Sequence, residues 1–491
     1  VSNEIITVAQ MRAVDAAAAM AGVATRSLME NAGRAVAEQI AKRFAPRPTL
    51  VVCGPGNNGG DGWVAARLLK ELGWPVSVLS LVPRASLRGD AANAATMWDG
   101  AVLDAGALVE AELFVDAMFG AGLSRALDGE AAKLASMMSA ARERVVAVDV
   151  PSGLDGDGGN AIGEVCARAA LTVTFVRKKP AHVLMPGRAA CGDVVVADIG
   201  VPESAVAAQA VTLFENGPGI WSHVFPWPNP EAHKHARGHV MVGCGPPSRT
   251  GAARLAARAA LRGGAGLVTV LSSPDAAPEN AAQLTAIMLR IAEDDAAFAA
   301  ALQSAQCLVI GPAFGTSDDA RRKLEGALAA PDRCAMVIDA DAITLLAPLQ
   351  RKLGARDVMT PHVGEFKRAF PGVLESAPSR IEAGRLAARS SGCIVLLKGP
   401  DSVIATPEGR AIVNTTGTPY LATAGAGDVL AGLISGLIAQ GMPSFDAAAA
   451  AAWLHGKCAE AFGPGLIAED LPEILPRLLS DLANQGGAAF A

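Results

Sequence analysis

Aromatic side chains are scarce: 4% of 491 residues, with one tyrosine, Tyr420. The chain has no basic run and no stripe of basic and aromatic residues, and its formal net charge is −6. These absences speak against a nucleic-acid partner, which needs a cationic footprint. The eight cysteines form no Cys-x-x-Cys pair and no His/Cys cluster at zinc spacing. A disulfide framework and a structural zinc site are therefore not expected; reduced, mostly buried thiols in a cytoplasmic protein are. No uncharged apolar run reaches the roughly 18 residues of a membrane span. The longest candidate, residues 429–442, is short and contains Gln440 and several glycines, so no membrane partner is expected. Glu4 and Gln10 fall where the apolar part of a leader would stand, so no secretory signal is expected.

Apolar residues make up 51% and charged residues 18%, the composition of a globular chain. At roughly 100–200 residues per domain the length predicts two or three domains. Alanine and glycine are abundant, which suits tightly packed α/β layers. Small residues on helices can also pack against other subunits, so a homo-oligomer is expected.

Apolar residues recur at helix spacing through Met11, Val14, Ala18 and Ala21, then Leu28, Ala32, Val36 and Ile40. Strand-like runs follow at 50–53, 76–81, 113–116 and 145–149, with a helix at about 64–72. Alternating strands and helices imply a parallel sheet covered on both faces, with ligands beyond the carboxyl ends of its strands. The stretch 216–238, with Pro218, Pro226, Pro228 and Pro230, reads as an interdomain linker. The alternation then restarts. Strands are expected at 239–242, 267–271, 307–310, 336–339 and 393–397, helices near 252–262, 380–390, 426–438 and 447–457, and a hairpin from 403–406 and 411–414. The fold class is α/β, in two domains spanning 1–217 and 226–485.

Residues 54–62 read Gly-Pro-Gly-Asn-Asn-Gly-Gly-Asp-Gly, after a strand and before a helix. Glycines there let the backbone approach a pyrophosphate, and a helix N-terminus favours its charge. Gly54, Gly56 and Gly59 satisfy the dinucleotide fingerprint, but Val82-Pro83-Arg84 stands where its acidic residue belongs. A plain tight turn does not need Asn57, Asn58 and Asp61 together. Asp116 and Asp149 end neighbouring strands, and Ser152 follows closely. An amide oxygen, a carboxylate and a hydroxyl on one edge make an oxygen-only cation site, and a single carboxylate suits a monovalent ion such as potassium. Taken singly, Asp116 and Asp149 read equally well as helix caps or turn residues.

GPGNNGGDG at 54–62, VDAMFGAGL at 115–123 and VDVPSGLDGDGG at 148–159 together resemble the signature of the NAD(P)H-hydrate epimerase family, over essentially residues 1–217. The resemblance implies a Rossmann-like three-layer domain. It implies that the hydrated cofactor is contacted by Asn57, Asn58, Gly59, Gly60 and Asp61, by Gly120, Ala121, Gly122, Leu123, Ser124, Arg125 and Ala126, and by Asp149. It also implies K+ held by Asn58, Asp116 and Ser152. Asp149 is the expected catalytic residue, moving a proton while the ring hydroxyl departs and returns on the other face.

In the second half, Ala424-Gly425-Ala426-Gly427-Asp428 precedes an apolar helix. Free N–H groups at such a start cradle a phosphoryl oxygen, and the helix dipole adds to the attraction. Asp428 stands where it can take a proton from a hydroxyl attacking that phosphorus. Lys398 follows a strand and opens Lys-Gly-Pro-Asp-Ser; it can reach a nucleotide phosphate. His362 and Glu365 offer an imidazole and a carboxylate, though a lone loop histidine is usually structural. Asp339 and Asp341 present two carboxylates at a strand-to-helix turn, one of them a helix cap, with metal contact through water open to the pair.

GHVMVGCG at 238–245, TGAARLAARAALRGGAGLVTV at 250–270, GPAFG at 311–315, DADAITLL at 339–346, TPHVGEF at 360–366, KGPDSVI at 398–404 and ATAGAGD at 422–428 occur in one order. Together they resemble the ribokinase-like superfamily and, within it, the ADP- or ATP-dependent NAD(P)H-hydrate dehydratases, over about 226–485. By that resemblance Ala253, Gly315, His362 and Asp428 contact the hydrated cofactor, with Asp428 catalytic. Lys398, Gly399, Pro400, Asp401, Ser402 and Gly427 contact ADP or AMP, and Mg2+ accompanies the nucleotide. The fused architecture favours ADP over ATP. One departure is Gly417-Thr-Pro-Tyr420-Leu, where the family often has Gly-Asn-Pro-Gly-Met.

The resemblances make one reaction scheme. Water adds to either face of a nicotinamide ring and gives two epimers, of which a chiral dehydratase takes only the S form. An epimerase on the same chain converts the other. The expected partners are therefore hydrated NADH, hydrated NADPH and ADP. Three rivals are a sugar or vitamin kinase joined to a Rossmann domain, an NADP-dependent oxidoreductase with Arg84 on the 2′-phosphate, and a non-catalytic nucleotide sensor.

Overall fold

Short runs of valine, leucine and isoleucine, each stopped by a Gly-, Pro- or Asp-containing loop, fold as strands buried from both sides. A computed structural model describes residues 3–104, 111–229, 231 and 233–485; Pro230 lies outside the described residues. The chain divides into two compact units, Val1–Leu213 and Phe214–Ala491. Among the described residues no helix is long and apolar enough to cross a membrane.

The first unit holds a seven-stranded sheet of β1 (Thr49–Cys53), β2 (Val76–Ser80), β3 (Val102–Asp104), β4 (Leu113–Ala117), β5 (Val145–Val148), β6 (Leu171–Phe175) and β7 (Asp193–Ala197). Its order is β3-β2-β1-β4-β5-β6-β7, with every pair parallel. β1, β4 and β5 are buried along their whole length, and apolar clusters cover both faces. Strand order reverses between β1 and β4, which opens a crevice at their carboxyl ends. The layers are Rossmann-like, as expected.

The second unit's sheet contains β8 (Leu213–Glu215), β9 (His239–Gly243), β10 (Leu267–Ser272), β11 (Met288–Ile291), β12 (Cys307–Ile310), β13 (Ala335–Ile338), β14 (Val358–Met359), β15 (Ile394–Leu397), β16 (Ser402–Ala405) and β17 (Ala411–Asn414). The order is β11-β10-β9-β12-β13-β14-β15-β16-β17-β8. From β11 to β15 the pairs are parallel; β15, β16 and β17 are antiparallel. Here the order reverses between β9 and β12.

The small residues have an internal use. A Cβ at Gly432 would lie 2.1 Å from the Ala256 carbonyl oxygen, and one at Gly436 2.6 Å from that of Ala260. The helices Ala426–Ala439 and Gly251–Arg262 therefore touch backbone to backbone, which only glycine permits. Ala447 through Ala452, on Ser444–Phe462, are buried as well. These faces are covered within the unit, so they no longer argue for contacts with other subunits.

The linker expectation is corrected over its first part. Asn216 donates from Nδ2 to Asn414 Oδ1 (2.8 Å) and to the Ala449 carbonyl (2.7 Å). Trp221 is fully buried, its Nε1 donates to Asn216 Oδ1 (3.2 Å), and its ring meets Phe225 and Trp453. Prolines at 218, 226 and 228 shape a packed segment of the second unit. The division falls after Leu213, ahead of the boundary read at 217.

Candidate active sites

The loops after β1, β4 and β5 meet at the first crevice. A Cβ at Gly54 would fall 1.8 Å from the Met118 carbonyl oxygen, and one at Gly59 2.0 Å from that of Gly54. Gly54 lets the β1 and β4 loops touch, and Gly59 lets the β1 loop close on itself. The helix Asn57–Glu71 starts at Gly56 without a side-chain cap, which leaves its first N–H groups available to a ligand. A cavity of about 560 Å³ opens there. It is lined by Asn57, Asn58, Asp61, all six residues from Gly120 to Arg125, and Asp149. Gly59 and Gly60 are buried against the Gly54 backbone and Met29; they and Ala126 do not line it.

Asp149 has a left-handed backbone, φ 65°, a conformation that non-glycine residues adopt rarely and often at functional sites. Lys179 fixes its carboxylate: Nζ stands 2.8 Å from Oδ1. The same ammonium donates to Thr174 Oγ1 (2.8 Å) and the Phe175 carbonyl (3.2 Å), and Thr174 donates to Asp149 Oδ1 (3.0 Å). The Ala121 N–H donates to Oδ2 (2.9 Å). Burial pushes the Asp149 carboxyl up, but Lys179 and the Ala121 N–H outweigh it and hold it at about 2. A carboxylate so stabilised is a fixed negative charge at neutral pH. His182 supports it from behind. The Lys179 N–H donates to Nδ1 (2.9 Å), so Nε2 carries the ring proton and donates to the Asp149 carbonyl (2.9 Å). Burial and the nearby Lys179 bring His182 down to about 4, so the imidazole is neutral.

Two of the three expected potassium ligands are joined. Ser152 donates from Oγ to Asp116 Oδ1 (2.6 Å) and from its backbone N–H to Oδ2 (2.8 Å). The Phe119 carbonyl oxygen is 3.2 Å from Ser152 Oγ. Asp116 is fully buried, and burial raises its carboxyl. Asn58 and Asp149 both approach Gly120: a Cβ there would stand 3.0 Å from Asn58 Oδ1 and 2.8 Å from Asp149 Oδ2. Asn58 Nδ2 is buried without a hydrogen-bond partner among the described residues.

At the carboxyl edge of the second sheet, Gly425 takes φ 85° and starts the helix Ala426–Ala439, again without a side-chain cap. Asp428 sits in its first turn. Lys398, at the end of β15, places Nζ 2.7 Å from Asp339 Oδ1, and Thr360 donates to the same oxygen (2.8 Å). A Cβ at Gly427 would be 3.4 Å from Lys398 Nζ, so lysine and anion loop are neighbours. Burial, then the Asp339 charge, raise Asp428 to about 7, opposed by Lys398. A carboxyl poised there is matched to taking a proton at neutral pH.

The other expected residues have varied places. His362 caps the helix Val363–Ala369: Nδ1 accepts from the Gly364 N–H (2.9 Å), and Glu365 accepts from the His362 N–H (2.9 Å). Asp401 is buried in an ion pair with Arg380 (3.1 Å), and Arg380 also donates to the Lys398 carbonyl (3.2 Å). Ser402 Oγ closes the loop on the Gly399 backbone. Asp401 and Ser402 thus brace the turn that exposes Gly399 and Pro400. Asp341 accepts from the Gly315 N–H (2.8 Å). Gly315 lines a cavity of about 340 Å³ that is not lined by His362, Lys398 or Asp428. Ala253 is fully buried in the core, and Tyr420 is exposed. Sequence reasoning missed Lys179, His182 and Arg380. Lys179 and His182 stand in Arg-Lys-Lys-Pro-Ala-His at 177–182, and nothing local signals their burial.

Fold and sites define a two-domain α/β enzyme with one carboxylate-centred site at the carboxyl edge of each sheet. Residues 25–181 match the family model described as YjeF-related protein N-terminus, and residues 240–477 match the one described as NAD(P)H-hydrate dehydratase. The bifunctional NAD(P)H-hydrate repair enzyme of Moorella thermoacetica is 37% identical over 499 residues, covering 93% of each chain. That of Escherichia coli is 33% identical over 483 residues, 94% of this chain and 91% of its own. A ribokinase-like superfamily protein from Enterococcus faecalis matches with a TM-score of 0.51 at 24% identity, covering 55% of this chain and 96% of that one; it shows the ribokinase-like fold. The chain belongs to the bifunctional NAD(P)H-hydrate repair enzymes.

Proposed function

We infer that the protein restores hydrated NADH and NADPH, with the first unit interconverting the R and S hydrates and the second dehydrating the S form at the expense of ADP, to give NAD(P)H, AMP and phosphate. One observation carries the reading. Each sheet presents a carboxylate at the carboxyl ends of its parallel strands, and the two are tuned oppositely: Asp149 is held ionised at about 2 and Asp428 is poised at about 7.

In the second unit, Asp428 takes the proton of the ring hydroxyl as it attacks the terminal phosphorus of ADP. The uncapped first turn at Gly425–Gly427 and the Lys398 ammonium face the charge that develops on the phosphoryl oxygens. Phosphorylation makes the oxygen a good leaving group, and elimination restores the reduced ring. Among the described residues no group of three or more His, Cys, Asp or Glu is set to hold a metal. Mg2+ would therefore arrive on the nucleotide phosphates, taking at most one or two carboxylates from the protein, and its chemistry is to neutralise phosphoryl charge. Lys398, Gly399, Pro400 and Gly427 are the nucleotide contacts in this reading, with Asp401 and Ser402 shaping their turn.

In the first unit, loss of the ring hydroxyl leaves a cationic ring, and Asp149 is the fixed counter-charge beside it. Asp116, Ser152 and the Phe119 carbonyl form an all-oxygen set on a buried carboxylate that makes no ion pair among the described residues. That donor set fits K+, and Asn58 would complete it. The ion would neutralise Asp116 and tie the loops after β4 and β5 together. A reducing, cytoplasmic setting suits the eight free cysteines. The test is a pair of variants on a mixture of both epimers. Asp149→Asn should block only the use of the R form, and Asp428→Asn only dehydration; equal slowing of both reactions by either one refutes two independent sites.

A further inference from the structure

Asp61 faces the epimerase cavity from the helix Asn57–Glu71. It is 9% exposed, and among the described residues its carboxyl makes no hydrogen bond and no ion pair. A buried carboxylate normally has a cation or several N–H donors. Here the nearby cation is committed. Lys179 spends its ammonium on Asp149, Thr174 and Phe175. Arg12 and Arg125 also line the cavity, and neither pairs with Asp61 among the described residues. Unpartnered among the described residues, in a wall that also carries the ionised Asp149, the Asp61 carboxyl favours the neutral acid. Burial first, then the charges of Asp149 and Asp15, raise it well above the ordinary carboxyl range.

We propose that Asp61 is the acid–base residue of the epimerase, handing its proton to the departing ring hydroxyl and recovering one from the water that re-adds. The proposal rests on the epimerase reading above and deepens it. The ring nitrogen lone pair expels the hydroxyl, the carbon–oxygen bond breaks, and the Asp61 proton turns the leaving group into water. A cationic ring and an Asp61 carboxylate result, with Asp149 already opposite in charge to the ring. Water then adds to the other face, and the proton it sheds restores the Asp61 acid. One carbon is inverted, and no oxidant, reductant or nucleotide is needed. The two carboxyls divide the work because their surroundings push them apart in acidity. Asp15, raised to about 6 by burial, lines the same cavity and is the competing proton source.

The test is epimer interconversion by the full chain without ADP, followed by chromatography that resolves R and S. Asp61→Asn should slow it by about 10²–10⁴-fold, the usual loss for a missing general acid. Asp15→Asn, in the same cavity wall, should slow it less than Asp61→Asn does. Asp61→Ala, shown to be folded by its thermal melt, should regain turnover with added formate, which returns a carboxyl to the emptied space. The proposal is overturned if Asp61→Asn turns over near the wild-type rate, if Asp15→Asn is the inactive variant, or if folded Asp61→Ala ignores formate. Should Asp149→Asn be inactive while Asp61→Asn is active, the epimerase reading stands and only this assignment falls. If the wild type does not interconvert the epimers, the epimerase reading itself fails.

Discussion

Asp428→Asn should abolish dehydration and at the same time stabilise the second unit. The carboxyl ionises near 7 in the fold, against 3.8 in an open chain. That gap of about 3 in pKa corresponds to ~4 kcal/mol set against the folded state once the group is fully ionised. Asp428 is only partly buried, and water screens part of this, so we take about 2 kcal/mol. The sign follows from linkage. A raised carboxyl does not weaken the fold below its unfolded value, weakens it increasingly as pH rises towards 7, and weakens it fully above. Asparagine does not titrate, so the variant's advantage should be close to zero near pH 4 and complete at pH 8. For a domain of this size that is an increase of roughly 4–8 °C in melting temperature at pH 8. Loss of the base should reduce dehydration by about 10²–10⁴, while wild-type turnover rises through pH 7 as Asp428 ionises. Calorimetry at the two pH values and an ADP-dependent turnover assay make the test. An advantage that is equal at both pH values, or near-wild-type turnover, would refute the reasoning.

Lys179→Met should cost the first unit about 3–5 kcal/mol, because it leaves the Asp149 carboxylate buried without its cation. Asp149 is depressed in the fold, so the stability it contributes is present above pH 4 and lost as pH falls towards 2; acid titrations followed by circular dichroism should show that loss in wild type and a smaller one in Lys179→Met. Residues 214–491 should fold when expressed alone, whereas 226–491 should be insoluble or melt early, since it lacks Asn216 and the buried Trp221; comparable melts for both fragments would contradict the corrected boundary. Arg380→Met should raise the KM for ADP with little change in epimerisation, because it removes the ion pair to Asp401 and the hydrogen bond to the Lys398 carbonyl; an unchanged KM would show that the turn needs no brace.

The parts of the fold that were legible are those where local pattern and tertiary role agree. β1, β4, β5 and β12 read directly as apolar runs because both of their faces are covered. β3 and β7 escaped because they are largely solvated edge strands without that signal. β6 escaped although it is fully buried, because Leu-Thr-Val-Thr-Phe alternates with threonines. Residues 54–62 were read as a loop, but Asn57 onward is helix; its glycines, which argue for a turn locally, are there for contact with the β4 loop and Met29. Proline content made 216–228 look like a linker, and only three-dimensional packing shows Trp221 inside the core. For the sites, motif spacing located Asp149, Asp428 and their loops. The charge states were not legible, since they depend on Lys179, Asp339 and depth of burial, which no neighbouring residue in sequence reveals.

The most direct measurement of the central claim is a balance sheet for the whole chain supplied with a mixture of hydrated NADH epimers and ADP. The account predicts that both epimers disappear completely, with NADH, AMP and phosphate appearing in equal amounts. A product that keeps its phosphate, or NADH that forms without AMP, would contradict it.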